Sequence, residues 1–85
     1  MRGNKPSSIQ HHLTLHRISP EQDVRRVYSL MIERDLFGTV RLVRNWGRIG
    51  SQGQELVEIH ADEIEAGQAL EAVARAKRRR GYWDL

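Results

Sequence analysis

Thr39-Val40-Arg41-Leu42-Val43-Arg44-Asn45-Trp46-Gly47-Arg48-Ile49-Gly50-Ser51-Gln52-Gly53 is the stretch whose reading decides the fold. The run from Thr39 to Val43 is rich in β-branched residues, and it flows into a large aromatic and then into three glycines spaced three apart, at 47, 50 and 53. Glycine tolerates positive φ and lets another backbone approach closely, so a strand here enters a tight loop with Trp46 and Arg48 at its mouth. Arg44, Trp46 and Arg48 set two guanidinium groups around one indole. Arginines fork onto phosphate while an indole stacks on a flat or sugar surface, so the trio suits an anionic partner of that shape. Strand alternation places Arg41 and Arg44 on opposite faces and gives Arg44 the face of Trp46.

Upstream, His12 to Arg17 alternates polar and apolar residues, the period of a half-buried strand with Leu13 and Leu15 inward. Ser19-Pro20-Glu21-Gln22-Asp23 is a turn cluster. Val24 to Glu33 returns to strand character with Tyr28, Leu30 and Ile32 on one face, and Arg34 to Gly38 is the connection to the next strand. Leu36 and Phe37 are apolar for a turn and are expected to tuck against the sheet edge as a small satellite core. Beyond the glycine loop, Gln54 to His60 is a fourth strand, and links this short imply an antiparallel meander. Residues 1–11 mix Gly, Pro, Ser and polar residues without periodicity and read as a disordered N-terminal arm, which leaves 12–85 as the domain.

The period changes at Asp62. Asp62 is placed to cap a helix, and Glu65 three residues on answers it in the geometry of a capping box. Ile64, Ala66, Ala69, Leu70, Val73 and then Ala76 or Lys77 recur at spacings of three and four, a stripe that faces the sheet. Early acids and late bases suit the helix dipole, and Gly81 is placed to end the helix. Gly67 inside it costs about 1 kcal/mol relative to alanine and implies either tolerance or close packing. The expected fold is therefore α+β, a four-stranded antiparallel sheet packed against one long α-helix, with the aromatic tail Tyr82-Trp83 folded back on the core.

Eighty-five residues make one domain, and 39% apolar with 29% charged residues describes a soluble globule rather than a disordered chain. No run approaches the roughly 20 apolar residues of a membrane span, and no apolar leader opens the chain, so a cytoplasmic location is expected. Zero cysteines exclude disulfides, thiolate metal sites and cysteine nucleophiles. The net charge is only +3, but twelve of the fourteen basic residues are arginine, which hints at nucleic acid. Its distribution says more: Glu55 to Glu71 carries six acids and no Lys or Arg, whereas Arg75 to Arg80 carries five bases and no acid.

The tripeptide Trp46-Gly47-Arg48, preceded by Val27-Tyr28-Ser29-Leu30-Met31-Ile32 and Leu36-Phe37-Gly38 and followed by Ile49-Gly50, resembles a WGR domain over roughly residues 13 to 83. That module occurs in DNA-damage-activated poly(ADP-ribose) polymerases, in some ATP-dependent DNA ligase polypeptides and as a free-standing small bacterial protein. The resemblance implies a role in DNA repair and a DNA contact for two residues. The tryptophan matching Trp46 packs on the sugar at a DNA end, and the arginine matching Arg48 sits at the DNA interface and, in the multidomain polymerases, links to neighbouring domains.

Each candidate has a plainer reading as well. Trp46 also suits packing against the sheet, and one indole can do both with opposite faces. Arg48 also suits an ion pair with Glu55 or Asp35. Lys77-Arg78-Arg79-Arg80 reads as a solvated helix end or as a phosphate-facing patch blind to sequence. If this run and the loop arginines neutralise about three to five phosphates, log affinity falls with log salt at a slope of roughly −3 to −4.5. The DNA-binding set is thus Trp46, Gly47, Arg48, Arg44, Lys77, Arg78, Arg79 and Arg80.

The four histidines form no ligand set with the carboxylates, the serines lack a nucleophile elbow, and the glycine spacing matches neither a P-loop nor a dinucleotide fingerprint. No catalysis, metal or cofactor is expected. The leading expectation is a non-enzymatic module that binds DNA duplex ends, nicks or gaps. The alternative is a protein-interaction adaptor using the same loop surface, with the acidic stretch suited to a basic partner. Control of a toxin, ligase or polymerase encoded alongside leaves no mark in the sequence. An edge strand such as Leu13 to Arg17 is open to pairing with a second copy.

Overall fold

A computed structural model describes residues 7–84. Strand β1 (Ser7–Ser19) leads through one 3₁₀ turn at Pro20–Gln22 into β2 (Val24–Asp35). Strands β3 (Val40–Arg48) and β4 (Gln54–His60), helix α1 (Glu63–Arg79) and a two-residue strand β5 (Trp83–Asp84) follow. The strands are antiparallel in the order β4-β3-β2-β1-β5. The α+β meander expected from the sequence is present, but the sheet has five strands rather than four. β5 pairs Asp84 with Leu15 and Trp83 with His16. Two residues are too few to display an alternation, so the tail carries no strand signal of its own.

β1 also begins earlier than His12. Ser7 to His11 already pair along β2, with a bulge between Ile9 and His11, so part of the expected arm is strand. Residues 1–6 lie outside the described residues. Among the described residues no helix is long and apolar enough to cross a membrane.

Opposed residues in an antiparallel pair share a face, so the register defines the two sides of the sheet. Leu15, Tyr28, Leu30, Ile32, Val40 and Leu42 point to one side, where Ala66, Leu70 and Ala74 of α1 cover them. Two alanines in that stripe let the helix backbone sit close to the sheet. Ile64 is not part of the stripe: it is 73% exposed. It lies two residues before Ala66, which at 3.6 residues per turn is about 200° around the helix. β4 reverses the usual arrangement, since Leu56, Glu58 and His60 take the helix side while Val57 and Ile59 take the other. Leu36 and Phe37 form no satellite core either, and Phe37 is 87% exposed. The Asp35 carboxylate accepts hydrogen bonds from the Phe37 and Thr39 amides, both at 2.9 Å, and this turn aims the two apolar side chains outward.

Both helix ends follow their sequence signals. The Asp62 carboxylate accepts from the Glu65 amide at 2.8 Å, and Glu65 reaches back to the Ala61 amide at 2.8 Å with the His60 ring 3.1 Å away. The Ala61 amide first, then His60, hold the Glu65 carboxyl below its ordinary range. Its contribution to stability is therefore present above the ordinary glutamate pKa and lost as pH falls through the lowered value. At the other end Gly81 takes a φ of 96°, the Gly81 amide donates to the Arg78 carbonyl and the Tyr82 amide to the Lys77 carbonyl, a Schellman closure. At Gly67, by contrast, an added Cβ meets nothing within 4 Å. Gly67→Ala is expected to raise stability by about 0.5–1 kcal/mol in a denaturant titration, because alanine restricts the unfolded chain and fits the helix. A loss of stability would show close packing there after all.

Candidate nucleic-acid interface

The last turn of α1 ends over Tyr28, and the residues gathered around that ring are the ones with chemistry. Trp46 stands opposite Tyr28 on β2, and their rings stack at 5.5 Å with 11° between planes. Arg44 is on the same face, where its Nε donates to the Tyr28 hydroxyl at 2.9 Å and its guanidinium lies 3.5 Å from Glu58. The last turn of α1 brings Lys77 Nζ to 4.4 Å from the centre of the Tyr28 ring and 5.7 Å from that of Tyr82. Tyr28 is only 2% exposed. It is the hub that positions Trp46, Arg44 and Lys77 while touching little solvent itself.

One row further out, the register sets Arg17, Arg26 and Arg48 side by side across β1, β2 and β3. Like charges directly opposed on neighbouring strands are destabilising. Arg48 reaches Asp23, at 3.5 Å from its carboxylate and 3.4 Å from its carbonyl, rather than Glu55 or Asp35. Both members of that pair are well exposed, and such a contact is worth little in water. Lys77 senses the same crowd: burial first, and then Arg80, Arg44 and Arg26, push its pKa below the ordinary lysine value. An anion placed among these groups relieves both the row and Lys77. Arg44, Lys77 and Arg80 line one groove, and Arg25, Arg26, Trp46 and Arg48 another, with Trp46 bordering the second.

The loop that holds Trp46 in place depends on close backbone contact. A Cβ on Gly53, whose φ is 72°, would lie 2.4 Å from the Trp46 carbonyl oxygen, and one on Gly47 would lie 2.7 Å from Gly53 Cα. The turn between them is tied by the Ser51 amide and hydroxyl, which donate to the Arg48 carbonyl at 3.0 and 2.7 Å.

Of the residues expected from the sequence, the structure thus gathers Trp46, Gly47, Arg48, Arg44, Lys77 and Arg80 at one end of the sheet. Arg79 is exposed on the last turn of the helix. Arg78 has another engagement, a two-pronged ion pair with Asp84 at 3.0 Å per contact that fastens β5 to the helix. That pair holds the Asp84 carboxyl below its usual range. Arg26 and Arg17 belong to this surface, with the buried Tyr28 beneath it, and none of the three is in the set expected from the sequence. Alternation alone carried a signal for two of them, since Arg26 shares the face of Tyr28 and Arg17 that of Leu15.

Residues 11–85 match the WGR domain family. A curated relative, the uncharacterized protein y4dW of Sinorhizobium fredii (strain NBRC 101917 / NGR234), is 39% identical over 75 residues, which are 88% of this chain and 37% of the relative. The chain therefore spans little more than a third of that protein's length. With the strand-loop motif, the sheet and helix around it and a match over all but the first ten residues in agreement, the chain belongs to the WGR domain family.

Proposed function

We propose that this protein is a non-enzymatic nucleic-acid-binding module that engages DNA duplex ends, nicks or gaps through the surface around Trp46. The observation that carries the reading is the adjacency of two cross-strand rows, the stacked pair Tyr28–Trp46 and the arginines Arg17, Arg26 and Arg48, with Lys77 and Arg80 arriving from the helix end. The first row offers a base or a terminal sugar an aromatic face. The second concentrates positive charge at a cost in stability that binding phosphate offsets. Such a trade is expected where function rather than folding selects the residues.

Fluorescence anisotropy of a labelled duplex across salt concentrations tests it. Neutralising about three to five phosphates gives a slope of log affinity against log salt of roughly −3 to −4.5. Lys77→Gln and Arg80→Gln each make the slope shallower by about 0.9, whereas Arg78→Gln changes it little because Asp84 already neutralises Arg78. A slope shallower than about −1 would point instead to an adaptor docking a protein through the same surface.

A further inference from the structure

We infer that strand β4 is a self-association edge, on which a second copy of this chain pairs to make one continuous ten-stranded sheet. At the other side of the sheet, β5 covers Leu15 and His16 of β1. Among the described residues the rest of β1 is open on that side as well, but β1 is broken by the bulge between Ile9 and His11, which leaves β4 as the unbroken open edge. Natural edges are commonly blunted by charged side chains, lysine above all, by proline, a bulge or brevity. β4 has seven residues, pairs with β3 without a break in register and contains neither lysine nor proline; its charges are two glutamates, of which Glu58 is paired with Arg44 of the neighbouring strand. It also exposes Leu56, Val57 and Ile59, three large apolar side chains on one short strand.

The sequence of β4 says which occupant fits. Two copies of one strand can extend a single sheet only about a two-fold axis normal to it, and the register that uses all of Gln54–His60 is centred on Val57. Val57 then faces Val57 of the second copy, Leu56 faces Glu58, Glu55 faces Ile59 and Gln54 faces His60. No glutamate opposes a glutamate. Centring the pair on Glu58 would oppose two of them, and centring it on Leu56 would shorten the ladder to five residues. The Val57 register also prolongs an existing feature, since Met31, Val43 and Val57 already form an apolar row across β2, β3 and β4 on the face away from the helix. The neighbouring acids are largely answered within their own copy, Glu58 by Arg44, Glu63 by Arg34 and Glu65 by His60. What repulsion remains is screened by salt, so self-association holds or strengthens as salt rises.

The axis keeps both helices on one side of the joined sheet. The two Trp46 surfaces then face the same way, about 25 Å apart from spacings of about 4.8 Å per strand and about 3.4 Å per residue. A pair of seven-residue strands buries less than about 1,200 Å², the class of weak and transient contacts, so a dissociation constant of about 0.01–1 mM is expected.

Sedimentation velocity of the protein without nucleic acid, from about 1 μM to about 2 mM, tests this independently of what the Trp46 surface binds. The wild type is expected to shift from monomer to dimer across that range. Val57→Lys and Val57→Glu, each at a site 42% exposed and each opposing like charges across the axis, are expected to remain monomeric with unchanged circular dichroism. An equimolar mixture of the two variants is expected to form a heterodimer, because the introduced lysine of one copy then faces the introduced glutamate of the other across the axis. A wild type that stays monomeric throughout, a Val57→Lys variant that still dimerises, or a mixture that does not associate would each overturn the proposal.

Discussion

Trp46→Ala is expected to weaken binding to a broken duplex by about 5- to 150-fold, the equivalent of about 1–3 kcal/mol of lost stacking. Binding to a closed dumbbell of the same sequence should change much less. The reason is that the two contacts are separate in space. Trp46 supplies the aromatic face, held flat by its stack on the buried Tyr28. In the proposed mode of binding the phosphate contacts fall to Arg26, Arg44, Arg48, Lys77 and Arg80, which the substitution leaves in place. Only a duplex end or an interruption exposes a terminal sugar or base to the ring, so only there is the loss felt. Trp46 also packs against the core, and removing it will lower stability. The dumbbell controls for that, since an unfolded fraction weakens both ligands equally. Trp46→Phe keeps a ring in the same place and is expected to recover much of the end preference. Equal losses on both duplexes would mean that Trp46 packs the sheet and does nothing more.

The second large effect is on the loop. Gly53→Ala is expected to destabilise the domain by about 2–4 kcal/mol, as read from a denaturant midpoint at constant slope. Two causes add. The left-handed conformation costs a side-chain-bearing residue about 1–2 kcal/mol, and the new methyl meets the Trp46 carbonyl oxygen at 2.4 Å, a contact with backbone that no rotamer relieves. The chain must move, and Trp46 moves with it. Gly50→Ala is a useful comparison, because Gly50 also has positive φ but its Cβ would meet nothing within 4 Å. It should show the conformational cost alone. If Gly53→Ala costs no more than Gly50→Ala, the close approach of the loop backbone is not what holds Trp46.

Much of this architecture is written in local periodicity. The alternation through Tyr28, Leu30 and Ile32 and through Leu42, Arg44 and Trp46 orients β2 and β3 correctly, and it assigns Arg44 to the face of Trp46. The glycine spacing marks the loop, and Asp62, Glu65 and Gly81 mark the helix ends. What is not legible depends on how separate segments line up. The row Arg17–Arg26–Arg48 exists only once β1, β2 and β3 adopt one register, which the period of a single strand does not define. The Arg48–Asp23 contact depends on the path of the turn between β1 and β2 relative to the glycine loop, and the Arg78–Asp84 pair on the tail doubling back after Gly81.

Other differences come from a local force overriding hydrophobicity. Leu36 and Phe37 are apolar, yet the Asp35 turn directs them into solvent. Ile64 is apolar and close to the stripe in sequence, but it lies two residues before Ala66 and so sits on the wrong side of the helix once Ala66, Leu70 and Ala74 define the buried face. On β4 the more apolar set faces away from the helix. In the proposed dimer Val57 becomes the centre of an interface, which gives that inversion a physical purpose.

The most direct test of the central claim is an amide-shift titration of isotopically labelled protein with a short 5′-phosphorylated duplex, repeated with the closed dumbbell and at two salt concentrations. Binding at the Trp46 surface predicts shifts concentrated on Arg44 to Gly50, on Arg26 and Tyr28, and around Lys77 to Gly81, with the dumbbell weaker and higher salt reducing both. Unmoved peaks in those three segments at low salt would contradict it and show that this end of the sheet is not a nucleic-acid site.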